Sequence, residues 1–309
     1  MGFSPDQLID AAKMFNSTAA SSKEPIRLSV YLDDTATDFL ITTIRDAFVP
    51  QQTNALLRVE RLGDEIPSVK PGTDVAIVLT GGSDGLAEKV NALAISGVST
   101  VCVAESSLDL PFIERDTPIL GGVVASEKTL LLSKLAHWIL SRTSKQMAFA
   151  ASFPFMRIAA AHEIVANATV ANMVTGAVFF IPGADFPLMT IKQLGMTLQL
   201  SQIFGRDMGL ERLYEMGAVA ASALALRGCA RMILPHTPHI KWLVRPLIAG
   251  VGTYVMGRAA LAFYQADFDW SGVTQRLQSL VALYKGKRAD QDCALRVYSS
   301  EAAAPIAAV

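Results

Sequence analysis

The chain predicts an α/β domain with a mostly parallel sheet, followed by an all-α helical-hairpin domain. Three observations lead there. Short apolar runs alternate with amphipathic segments up to about residue 145. Beyond Met147 that alternation stops, and long Ala/Leu/Ile/Met segments replace it. Charge is scarce, at 18% of 309 residues, where an ordinary soluble chain carries about 25%.

The elements follow in order. Ser4, Pro5 and Gln7 give the N-terminus the cap, first-turn proline and capping-box residue of an amphipathic helix. A soft linker runs from Asn16 to Glu24. Ile26–Leu32 reads as a strand, Thr35–Val49 as a helix with Phe39, Ile44 and Phe48 on its apolar face, and Leu56–Leu62 as a second strand. Asp74–Thr80 is nearly continuous in apolar residues, as in a strand covered on both faces. Gly81-Gly82-Ser83 opens a helix to about Ile95. Thr100–Ala104 and Ile119–Ala125 are further strands, and Lys128–Leu140 is an amphipathic helix. Such alternation implies a parallel sheet flanked by helices.

In the second half, helices are expected near 156–181, 186–205, 209–233 and 244–266, with an amphipathic one near 270–285. Breaks are expected at Pro182, Pro235-His236-Thr237-Pro238 and Pro246. The Ala-rich tail, 286–309, is expected to be disordered. The division is therefore 1–24, 25–145, 146–285 and 286–309.

Hydrophobic residues make up 51% and mean hydropathy is +0.35, which argues against disorder, a coiled coil or a wholly nucleic-acid-binding chain. The net charge of −1 hides an asymmetry: 1–145 carries −5 and 146–309 carries +4. Three cysteines, Cys102, Cys229 and Cys293, stand far apart, which fits reducing surroundings. The N-terminus has no basic start, and Asp6 and Asp10 interrupt it, so a secretory signal is not expected and the first domain is placed in the cytosol.

Ile164 to Ala184 is 21 residues without a charge. Its helical part, Ile164–Ile181, would be about 27 Å long at about 1.5 Å per residue, close to a hydrocarbon core of about 30 Å. Asn167, Thr169, Asn172 and Thr175 dilute it. Val244–Phe263 is a second candidate, with Arg258 well inside it and Gly250, Gly252 and Gly257 permitting close helix approach. Arg227, Arg231, Lys241 and Arg245 are candidate membrane-facing cations beside these segments. The competing arrangement is a soluble helical bundle.

A phosphate loop would place glycines and a lysine after the first strand. The residues there are Asp33-Asp34-Thr35-Ala36-Thr37-Asp38, whose carboxylates oppose a triphosphate. Gly81-Gly82-Ser83-Asp84-Gly85 follows a strand and opens a helix, so Gly81, Gly82 and Ser83 are candidate ligand-binding residues, with a tight turn and helix cap as the alternative. His236 and His239 lack a third ligand for zinc. His162-Glu163 lacks the second histidine of a zincin, because position 166 is alanine. His137-Trp138 reads as a packing edge. No Gly-x-Ser-x-Gly elbow supports a catalytic serine. No catalytic constellation, metal site or cofactor is expected.

The order of elements over 26–142 resembles a degenerate Era-like GTPase domain. Glu60-Arg61-Leu62-Gly63 stands where that family carries DxxG. Val103 to Asp109 stands where it carries NKxD, and Val124-Ala125-Ser126-Glu127 where it carries a Ser-Ala-Lys-like turn. Each motif departs from the pattern, so the resemblance implies a pseudo-GTPase fold rather than GTP chemistry; a generic Rossmann-like domain fits equally. Over 156–266, Ile181-Pro182-Gly183-Ala184-Asp185 and the following Gln193, Gln199, Ile203 and Gly205 resemble the YcjF-type domain of unknown function of bacterial membrane proteins, often found C-terminal to Era-like GTPases. In physical terms, Pro182 would stop one helix and Asp185 cap the next.

The expectation is thus a non-catalytic protein at the cytoplasmic membrane, with lipids and a protein partner or a second copy as its contacts, and no nucleic acid or nucleotide. The alternatives are a divergent nucleotide-binding protein at the membrane and a soluble helical interaction module.

Overall fold

The computed structural model describes residues 13, 17–18, 20–63, 67, 69–178, 185–205 and 241–265. Among them, five strands form one all-parallel sheet: β1 (Ile26–Leu32), β2 (Ala55–Arg61), β3 (Val75–Leu79), β4 (Ser99–Ala104) and β5 (Leu120–Val124), in the order β2-β1-β3-β4-β5. Helices α1 (Asp38–Ala47), α2 (Leu86–Ile95) and α3 (Lys128–Arg142) connect or follow them. The expected α/β class is the observed one.

Alternation along the strands sorts the side chains onto two faces. Leu28 and Val30, Ile77 and Leu79, and Val101 and Val103 join α1 and α3 in one core. Tyr31, Ala76, Val78, Cys102 and Ala104 meet Leu86, Val90 and Leu93 of α2 in the other. Central strand β3 is buried at every residue, as a strand with helices on both faces must be.

Helix α1 starts three residues later than expected. Thr37 takes an extended backbone and its side chain accepts from the Leu40 amide, which makes it the cap and leaves 33–36 as loop. A short helix, α4 (Gln146–Ser152), and a 3₁₀ turn at Pro154–Met156 follow α3. Neither is visible as a pattern in the sequence, because Ala148 to Ser152 are buried all round and a helix of seven residues shows no stripe.

The second half supplies α5 (Arg157–Val178), α6 (Asp185–Ile203) and α7 (Lys241–Gln265). Pro246 lies inside α7 and does not break it. A proline there loses one backbone hydrogen bond, and the close neighbour Gly176 leaves room for it: a Cβ on Gly176 would stand 3.2 Å from the Pro246 Cα. Among the described residues the helices do not form a separate core. The cluster under α1 and α3 continues through Phe149, Phe153, Met156, Ala160 and Val165 to Met196, Leu200, Leu261 and Tyr264.

Several expected features lie outside the described residues: the N-terminal cap at Ser4, the turn at Pro182, the helices at 209–233 and 270–285, Arg227, Arg231, the His236–His239 loop and the tail. Helix α6 begins at Asp185, the residue expected to cap it; its side chain, and those of Lys241 and Arg245, are likewise outside the description.

A carboxylate and hydroxyl cluster at the switch point of the sheet

In a doubly wound sheet, ligands bind beyond the carboxyl ends of the strands where the strand order reverses. Here the chain goes from β1 outward to β2, then returns to the other side of β1 to lay down β3, so the reversal lies between β1 and β3. Leu32 pairs with Leu79, which sets Asp33 and Thr80 side by side at the next position. The Asp33 amide still donates to the Leu79 carbonyl at 3.0 Å.

Asp33 is buried, yet its carboxylate is fully partnered. Thr80 Oγ1 donates to Oδ2 at 2.8 Å, Ser83 Oγ donates to Oδ1 at 2.8 Å, and Thr35 Oγ1 donates to Oδ2. Burial pushes the carboxyl upward, but these three hydroxyls and the nearby Lys89 outweigh it and hold Asp33 below the usual carboxylate range.

The three candidate residues of the glycine turn all join this cluster. The Gly81 amide donates to Thr35 Oγ1 at 3.0 Å, and the Gly82 amide donates to Thr80 Oγ1 at 2.9 Å. Ser83 serves Asp33. Gly82 and Gly85 both have positive φ, at 91° and 74°, and Gly85 precedes α2 in the left-handed conformation. The Gly81 and Gly82 amides are thus spent on side chains of the chain itself, around a carboxylate.

The other strand ends carry the remaining motif positions. Glu60 and Arg61 end β2, and Val124 ends β5. Beyond β4, Glu105 accepts from Thr37, while Asp109 closes a capping box with Ser106, accepting its amide at 3.1 Å. The Glu105 and Asp109 carboxylates are thus engaged by a hydroxyl and a backbone amide of the chain itself.

Along the chain Asp33 stands only as a charge that opposes phosphate; its partners Thr80 and Ser83 lie some fifty residues away. The available signal was an Asp directly after one strand and a Thr directly after another. Only the register of β1 against β3 turns these into neighbours. Elsewhere, Cys102 is buried with its thiol pushed up to about 12, so it is no nucleophile near neutral pH. Among the described residues no group of three or more His, Cys, Asp or Glu could hold a metal ion.

A second polar group lies among the helices. Thr253 accepts from Asn172 Nδ2 at 2.9 Å and from Gln193 Nε2 at 3.1 Å, and donates to the Ala249 carbonyl at 2.8 Å. Lys192 Nζ donates to Thr175 Oγ1 at 2.6 Å and to the Ala171 carbonyl at 3.1 Å. Thus two of the four polar residues that dilute the candidate span, Asn172 and Thr175, link α5 to α7 and α6. Among the described residues one helix is long and apolar enough to cross a membrane, over Pro246–Gln265, and a third of that stretch is buried within the protein.

Compared with protein-family models, curated proteins and solved structures, the chain matches none.

Proposed function

We propose that this chain is a non-catalytic, membrane-associated protein whose helices seat on lipid and whose α/β part recruits a protein partner. The observation that carries the reading is an exposed apolar face on α5 and α7, where Val170, Val174, Val251 and Val255 are each more than half exposed. Contiguous apolar surface of this kind marks contact with lipid or protein. The switch-point crevice supports a role without catalysis, because its hydroxyls are committed to Asp33 and the Gly81 and Gly82 amides to the Thr35 and Thr80 hydroxyls. Edge strand β2, with Leu56 and Val59 exposed, offers the α/β part a surface for a partner. The reading suits the YcjF-type membrane proteins that the second half resembles.

Fractionation of cells expressing the full chain tests it. Recovery in the membrane pellet, with release by detergent, is the expected result. Recovery in the soluble fraction overturns it and leaves the helices as a bundle for protein contact.

A further inference from the structure

Exposed residues on α5 and α7 recur every three or four positions, as on one helix face: Val170, Val174 and Ala177 on the first, and Leu247, Val251 and Val255 on the second. The helices are antiparallel neighbours. Gly176 meets Pro246, Asn172 bonds to Thr253, and a Cβ on Gly257 would stand 2.7 Å from the Val165 methyls. The two stripes therefore lie at the same level of the pair and form one apolar face, opposite the side that α6 covers.

This face has a sharp limit toward the sheet. Arg258 is exposed there, with Nη1 2.6 Å from His162 Nε2, and among the described residues no carboxylate pairs with it. Past Arg258 the large side chains turn inward: Leu261 and Tyr264 are buried, Tyr264 stacks on Phe204 with ring centroids 5.6 Å apart, and Ala259, Ala262 and Gln265 are the exposed residues. At the other end, Lys241 and Arg245 occupy the first turns of α7. From Leu247 to Arg258 is about 16 Å at about 1.5 Å per residue, roughly half the thickness of a hydrocarbon core of about 30 Å. The stripe of large exposed apolar side chains on α7 thus meets a cation about halfway across such a core, inside a helix otherwise long enough to cross it, and Lys241 and Arg245 precede the stripe in the chain.

We propose that α5 and α7 lay this face in the plane of an anionic lipid surface and do not cross the bilayer, with Arg258 at the level of the lipid phosphates. The inference rests on the membrane reading above and specifies its geometry. An apolar face flanked by cations sinks about 5–10 Å into the boundary between headgroups and acyl chains, and its cations meet anionic headgroups. His162 takes the neutral, accepting form beside Arg258, leaving the guanidinium's other donors for phosphate.

The test uses the purified full chain and flotation with vesicles of phosphatidylcholine, with and without phosphatidylglycerol. After the three native cysteines are replaced by serine, Leu247→Cys, Val251→Cys and Val255→Cys each carry a fluorophore, quenched by lipids brominated at different acyl depths. Thermal melts identify any variant that has lost its fold, and such a variant is replaced by its neighbour on the same stripe. In-plane seating predicts one shallow depth for all three labels. It also predicts that Arg258→Gln weakens binding to the anionic vesicles about fivefold and leaves binding to the neutral ones unchanged. Depths that run progressively to the bilayer centre, or labels reached from the far side of the vesicle, overturn the in-plane geometry while keeping the membrane reading. Failure to float, with the labels shielded in the protein without lipid, overturns both and assigns the face to the chain itself or to a second copy.

Discussion

The ring of Phe48, at the end of α1, stands edge-on against the ring of Phe153, with centroids 5.0 Å apart and planes at 62°. Both side chains are fully buried. The contact joins the helix layer of the sheet to the segment that enters α5, and Phe155 adds a second ring to Phe48 at the same 5.0 Å. Sheet and helices therefore share one core at this seam.

Truncating that seam destabilises the whole chain. Phe153→Ala is expected to cost about 3–5 kcal/mol, read by urea denaturation. Because the core is continuous, far-ultraviolet dichroism and the protection of β3 amides should be lost in one transition. Two separate transitions in the unmutated chain would show that the sheet and the helices fold independently.

Asp33 ties the end of β1 to the turn after β3, so Asp33→Asn should lower stability by about 1.5–3 kcal/mol at pH 7, the range for hydrogen bonds to a charged group. Its folded carboxyl lies below the usual range. The stabilisation is therefore complete above the unfolded value of about 3.9 and is lost as pH falls through the folded value. Denaturation followed from neutral to acid pH should show a smaller loss below pH ~4 in the variant than in the parent.

His162 behaves in the opposite sense. Burial, then the charge of Arg258, then His137, hold its folded value below the ordinary 6.5. The unfolded chain takes up the proton first, so stability drops as pH falls from about 6.5 toward the folded value and stays level below it. His162→Gln, which keeps an acceptor for Arg258, should flatten the pH dependence of the melting temperature in that window. An unchanged slope would place the titration elsewhere.

Gly257 sits where α7 crosses α5. A Cβ there would meet the stiff Val165 side chain at 2.7 Å and the Met196 sulfur at 3.1 Å. Gly257→Val should force the helices apart and lower stability by about 1–3 kcal/mol. Pairing it with Val165→Ala should recover part of the loss, since the two substitutions share one contact; strict additivity would show that they do not.

Much of this fold is legible along the chain. The Ile26–Leu32 strand is observed with the expected bounds, and the other strands and the helices of the first half fall within a few residues of expectation. Such elements announce themselves because period and composition are local properties, and a strand buried on both faces such as Val75–Leu79 needs no partner to be recognised. The lack of a phosphate loop after β1 is equally local. The tertiary structure decided what these segments do together. Strand order placed the reversal between β1 and β3, and register made Asp33 a neighbour of Thr80 and Ser83. Asn172 and Thr175, which read as dilution of an apolar helix, became the links to Thr253 and Lys192, because buried polar groups need hydrogen-bond partners and packing brought these within reach. Continuity of the core across residue 145 also came from packing, since 148–153 is buried at every residue and shows no periodicity. Local physics fixes which elements form; the partners each side chain meets depend on separations of tens of residues along the chain, which only the folded arrangement sets.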